Sequence, residues 1–153
     1  MNGRWCVRCG KTVPTPYLRD NGKHLPPKGR VLDIGCGNGR NTKYMAANGY
    51  IVDAIDMAGD FGIKTVLGQD PLPNKTYDIL LANYILMFLD DKERKRVMKE
   101  MDQRAAHGAI MMIEMYPAKD AHDYDFDSMV EYFYSKGWEK IRKSKDKCLM
   151  RKK

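Results

Sequence analysis

No stretch of the 153-residue chain approaches the roughly 18 consecutive apolar residues that a membrane span requires. Arg4, Arg8 and Lys11 precede no apolar run, so the start does not read as a secretory leader. Four cysteines, Cys6, Cys9, Cys36 and Cys148, are too few and too scattered to form a disulfide scaffold. Internal repeats and low-complexity tracts are missing as well. These absences leave a small cytoplasmic protein, long enough to bury about two-thirds of its unfolded surface.

Cys6 and Cys9 have the Cys-x-x-Cys spacing of a zinc knuckle. A structural zinc needs four ligands, and only His24 stands as a third, so the expected metal is none and the pair reads as a free-thiol turn. Charge is uneven along the chain. Residues 1–30 carry seven Lys and Arg against one acid, and residues 138–153 carry eight against two, whereas the middle is acidic. Basic ends suit a phosphate backbone, but they also suit plain solvation. We divide the chain into a basic arm over 1–28 and a domain over 29–153.

The most informative segment is Val31-Leu32-Asp33-Ile34-Gly35-Cys36-Gly37-Asn38-Gly39-Arg40: an apolar strand carrying an acid near its end, then three alternating glycines. Glycine belongs where backbone takes positive φ or approaches a ligand closely. In open α/β sheets such a loop at a strand's carboxyl end binds ligands. A dinucleotide fingerprint would put its third glycine one residue later. The acid ahead of the loop favours a cationic ligand over a pyrophosphate.

Periodicity gives the remaining elements. A helix over Asn41–Asn48 stops at Gly49, and strands follow at Tyr50–Asp56, Thr65–Gln69, Tyr77–Asn83 and Ala109–Ile113. Asp90 and Glu93 make a capping box for a helix that Gly108 ends, and the apolar fifth strand reads as central in a sheet covered on both faces. A last helix, Phe126–Ser135, precedes a closing antiparallel pair at Trp138–Arg142 and Lys147–Arg151. The predicted fold is α/β and doubly wound: a mostly parallel sheet with an antiparallel C-terminal strand.

The strand, acid and glycine loop resemble motif I of the class I S-adenosylmethionine-dependent methyltransferases. The strings Gly35–Asn41, Ala46–Tyr50, Val52–Ala54, Leu86–Leu89, Gly137–Glu139 and Arg151–Lys153 resemble the TehB-like tellurite-resistance methyltransferases in particular. The resemblance covers roughly residues 29–153 and implies a Rossmann-like fold with S-adenosylmethionine as cofactor. It places Asp33, Gly35, Cys36, Gly37 and Gly39 around that cofactor and Asp56 on the ribose. Asp70 is assigned to the adenine amine, with Met57 and Leu72 against the ring. Asn83 and Tyr84 are assigned to the methyl-transfer site, and Tyr116, His122, Asp123 and His24 are the remaining candidate helpers.

The chain departs from the family in its second crossover, Met57–Lys64, which is too short for a helix and two loops. The expected activity is methyl transfer by in-line displacement, with a small soft nucleophile as acceptor. The first alternative is a nucleic-acid methyltransferase using the basic ends. No Asn/Asp-Pro-Pro-aromatic run follows the fourth strand, and no Pro-Cys pair serves cytosine C5. The second is a non-catalytic S-adenosylmethionine-binding subunit.

Overall fold

Neighbouring parallel strands must be joined by a crossover, and apolar strands interleaved with amphipathic helices therefore build a layered α/β sheet. The computed structural model describes residues 13–58, 61–116 and 124–153. Its helices are α1 (Pro16–Asp20), α2 (Arg40–Ala47), α3 (Asp91–Arg104) and α4 (Phe126–Ser135). Its strands are β1 (Arg30–Ile34), β2 (Ile51–Asp56), β3 (Ile63–Lys64), β4 (Tyr77–Asn83), β5 (Ala105–Glu114), β6 (Trp138–Lys143) and β7 (Lys147–Lys152). They form one sheet in the order β3-β2-β1-β4-β5-β7-β6, in which β3 through β5 are mutually parallel. Strand β7 runs antiparallel to both of its neighbours. The expected mostly parallel, doubly wound sheet is thus present.

Each face of the sheet has its own core. Leu32, Leu80 and Met111 point towards α3 and α4, packing with Val97, Met101, Val130 and Phe133. Val31, Leu81 and Met112 point the other way, packing with Leu18 of α1 and Met45 of α2. Residues 13–28 therefore lie on the sheet rather than apart from it. Cys6 and Cys9 fall outside the described residues, and His24 sits in a 3-10 turn, Gly22–His24. Among the described residues no three metal-ligating side chains converge, and no helix is long and apolar enough to cross a membrane.

Several boundaries differ from the sequence expectation. The third strand is Ile63–Lys64, and Thr65–Gln69 instead forms a turn closed by a bridge between Leu67 and Asp70. Gly68 takes φ of 86° within this turn. Gly108 does not end α3. It lies within β5 at φ 78°, where the pairing with β4 slips between Tyr77–Ala105 and Ile79–Ile110, a bulge that glycine accommodates. No helix is described between β2 and β3, and Ile51 and Ile63 on that flank are exposed.

Helix α3 begins as its sequence prescribes. The Asp90 carboxylate accepts from Glu93 N at 2.8 Å, and the Glu93 carboxylate accepts from Asp90 N at 3.0 Å. Replacing a capping acid with alanine costs about 1 kcal/mol. Asp90→Ala should lower the unfolding free energy by that amount, seen as a lower urea midpoint at unchanged slope when followed by far-UV circular dichroism.

Candidate active site

Strand residues alternate faces, so positions two apart share one. On the face packed by α1 and α2, the apolar rows of β1, β2, β4 and β5 end in Asp33, Asp56, Asn83 and Glu114. Each is the last residue on that face at its strand's carboxyl end. This polar edge opens into a cavity of about 340 Å³. Asp33, Gly35, Cys36, Gly37 and Asp56 line one end, and Asn83, Tyr84 and Tyr116 line the other.

The glycine loop shapes the first end. Gly35 and Cys36 N donate to the Ile55 carbonyl at 2.8 and 3.0 Å, docking the loop on β2. Gly37 N donates to Asp56 Oδ1 at 3.3 Å, and the other oxygen of Asp56 accepts from Ala58 N. A Cβ on Gly35 would sit 2.5 Å from Ile85 Cγ1, and one on Gly39 the same distance from the Phe61 ring. Both residues also have positive φ, so neither tolerates a side chain.

Asp33 is 2% exposed and accepts from the Thr42 hydroxyl at 2.6 Å. Burial pushes its carboxyl up to about 6, against the pull of the Thr42 hydrogen bonds and with the nearby Asp56 charge adding to the rise. Burial also pushes the Cys36 thiol up to about 12, so at neutral pH this cysteine is a small apolar wall rather than a nucleophile.

At the second end the Asn83 amide donates through Nδ2 to Glu114 Oε2. Tyr84 has φ of 61°, an uncommon conformation for a bulky residue, held by its N–H donating to the Glu114 carbonyl at 2.7 Å. Its ring lies 4.7 Å from that of Tyr116 at a 31° tilt. Burial, then the neighbouring Glu114 carboxylate, push the Tyr84 hydroxyl up to about 12. The adjoining Leu86–Phe88 turn brings Phe88 to the cavity, anchored by buried Arg94, which donates to the carbonyls of Leu86 and Leu89. Thr15 reaches the rim because its N–H donates to Asn41 Oδ1 of α2 at 2.9 Å.

The structure thus gathers Asp33, Gly35, Cys36, Gly37, Asp56, Asn83, Tyr84 and Tyr116 around one cavity, with Gly39 completing the loop beside it. Three expected residues stand elsewhere. The Asp70 carboxylate accepts from Val66 N at 2.7 Å, acting as a turn residue. Leu72 is buried in the core, and Met57 is exposed away from the cavity lining. His24 does not line the cavity, and His122 and Asp123 fall outside the described residues. Sequence reasoning did not single out Arg40, Asn41 and Thr15 as cavity neighbours, and it put Glu114 at the carboxyl edge near the pocket without giving it a role. The only signal for Glu114 was an acid directly after an unbroken apolar strand.

A family model described as a methyltransferase domain matches residues 11–145. The chain belongs to this methyltransferase family. A curated relative of this S-adenosylmethionine-dependent family is the probable methyltransferase TehB of Haemophilus influenzae, 26% identical over 131 residues, which are 72% of this chain and 46% of that protein. The chain spans less than half the length of the curated relatives it matches. The crystal structure of Haemophilus influenzae TehB superposes with a TM-score of 0.73 at 19% identity, covering 95% of this chain and 65% of that one. Another fold neighbour is the 1,6-didemethyltoxoflavin N1-methyltransferase of Burkholderia thailandensis, crystallised with 1,6-didemethyltoxoflavin and S-adenosylhomocysteine. It has a TM-score of 0.70 at 15% identity and covers 90% of this chain and 75% of that one.

The buried acid makes stability depend on pH. Unfolded, Asp33 ionises at about 4, whereas folded it keeps its proton up to about 6. Between those values the folded state binds more protons, so stability falls as pH rises through the window and stays lower above it. Asp33→Asn should therefore stabilise the ligand-free protein at pH 8 by roughly 2–3 kcal/mol and leave it nearly unchanged at pH 4. Urea titrations at the two pH values measure the difference.

Proposed function

We propose that this methyltransferase binds S-adenosylmethionine between Asp33 and Asp56 and methylates a small soft nucleophile, such as a thiolate or chalcogenide, in the cytoplasm. The observation that carries the reading is the pair of acids on one face at adjacent strand tips, flanking a loop in which Gly35 and Gly39 have no room for a Cβ. That arrangement fits the cofactor. Asp33 is poised to pair with the ammonium group, and Asp56, fixed by two backbone N–H groups, to accept from the ribose hydroxyls. Arg40 at the loop's end supplies positive charge for the amino-acid carboxylate. When bound, the cofactor supplies an electrophilic methyl whose bonding pair remains with sulfur as the acceptor's lone pair forms the new bond.

The chain's own contribution is placement. Tyr84, Tyr116 and Phe88 line the cavity beyond the glycine loop and supply the rings that place an acceptor. An acceptor that arrives deprotonated needs no general base, and any proton released from a protic one leaves through the mouth.

The basic ends argue less for nucleic acid than their count suggests. Lys143, Lys147 and Lys152 pair with Asp127, Asp146 and Asp102, and Arg142 donates to Asn21. Free thiols such as Cys36 and Cys148 suit a reducing compartment.

Calorimetry should show S-adenosylmethionine binding that weakens at least tenfold in Asp56→Ala and declines as pH falls through about 6, where Asp33 takes up its proton. Radiolabelled methyl transfer should be screened against small thiols, selenite, tellurite, tRNA and DNA. Label in a thiol or chalcogen product supports the reading, and label confined to nucleic acid contradicts it. Tight binding with no product would favour a non-catalytic binding subunit.

A further inference from the structure

Glu114 is fully buried, ends β5, and plays no part in the cofactor contacts above. Its Oε2 accepts from Asn83 Nδ2, the Tyr84 hydroxyl neighbours the same carboxyl, and its Oε1 has no hydrogen-bond partner among the described residues. That bond holds the Asn83 amide with Nδ2 towards Glu114 and Oδ1 on the other branch. Asn83 lines the cavity, and its Oδ1 is likewise buried without a partner among the described residues. Leaving such an oxygen unsatisfied is costly, and a donor from a ligand removes the cost.

Resting on the small-acceptor reading, we propose that Glu114 is a positioning residue that turns Asn83 so that its carbonyl oxygen receives the X–H group of the acceptor. Within the small soft nucleophiles this moves the acceptor from the deprotonated thiolate or chalcogenide to the neutral protic form, a thiol first, and oxyanions are disfavoured. The charges agree. Asp33 and Asp56 line the cavity, Glu114 lies behind Asn83, and the one cation among the described lining residues, Arg40, stands on the glycine-loop side. An oxyanion beside Asn83 would meet a carbonyl oxygen with no proton to offer it, whereas an S–H, N–H or O–H donor would complete the network. In the transfer, the acceptor's lone pair forms the bond to the methyl carbon, the carbon–sulfur bond of the sulfonium breaks towards sulfur, and the acceptor's proton passes to water at the mouth.

The test uses 2-mercaptoethanol as the protic probe and sodium selenite as the oxyanion, with S-adenosylhomocysteine affinity measured separately by calorimetry. Wild type should give the higher kcat/KM with the thiol. Glu114→Met replaces a buried carboxyl group, one of whose oxygens is unsatisfied, by an apolar side chain of similar volume, so the fold should persist with a melting temperature no lower than wild type. This variant should raise KM for the thiol about tenfold, change kcat less than threefold, and leave S-adenosylhomocysteine affinity within twofold. Glu114→Gln, which can still accept from Asn83, should return KM to within threefold of wild type. If Glu114→Met does not fold, Asn83→Ala carries the same expectation, because it deletes the oxygen itself. An unchanged KM in the variant that folds, a parallel loss of S-adenosylhomocysteine affinity, or a preference for selenite would overturn the proposal. So would a wild type that binds S-adenosylhomocysteine yet methylates neither probe. Failure of wild type to bind S-adenosylhomocysteine would instead remove the cofactor reading beneath it.

Discussion

Everything at this site depends on an acid kept out of water at the tip of the first strand. Asp33 is held by the Thr42 hydroxyl at 2.6 Å and is otherwise enclosed, so its carboxyl retains a proton to about 6. Such a group weakens the ligand-free protein at neutral pH, since the unfolded chain ionises it freely. An apolar residue would pack there without that cost. An approaching cation reverses the balance, because a positive charge favours the ionised acid most where water is scarce. The same burial that strains the empty fold therefore concentrates binding energy on a cationic ligand.

The sheet delivers the rest of the constellation by parity. Strands β1, β2, β4 and β5 are parallel and in register, so one face of all four reaches the carboxyl edge together. There the apolar rows give way to Asp33, Asp56, Asn83 and Glu114. Asp33 and Asp56 flank the glycine loop, and Asn83 and Glu114 pair beside Tyr84. Between them the glycine loop supplies close approach, and the left-handed backbone at Tyr84 turns an aromatic ring towards Tyr116. Packing by α2 and the residue 13–28 segment closes this face. Thr15 and Asn41, joined at 2.9 Å, tie that segment to the start of α2.

Much of this was legible in the sequence because it is written in local rules. Alternating glycines after an apolar strand, the Asp90–Glu93 capping box and the apolar repeat of α4 each depend on residues within a few positions of one another. Strand β4 and helix α4 fall where periodicity puts them. The errors arose where one residue serves two purposes. Gly108 has the look of a helix stop but relieves a bulge in β5, a role set by pairing with β4, far away in sequence. Asp70 follows a predicted third strand, which suits a ligand contact, but its place before Pro71 also suits a turn, and its Oδ2 accepts from the Val66 N–H. Leu72 has the right chemistry for an adenine wall but lies in the core. Glu114 shows locally only as an acid ending an apolar strand, because its position against Asn83 is set across a strand pair.

The central claim is that Asp33 is protonated more readily than an ordinary aspartate until a cationic ligand pairs with it. Carbon-detected NMR of the Asp33 side-chain carboxyl, titrated with and without S-adenosylmethionine, measures this directly. The account predicts a midpoint near 6 for the ligand-free protein and a clear fall when the ligand is bound. An ordinary aspartate midpoint in the free protein, or one that the ligand leaves unmoved, would contradict it.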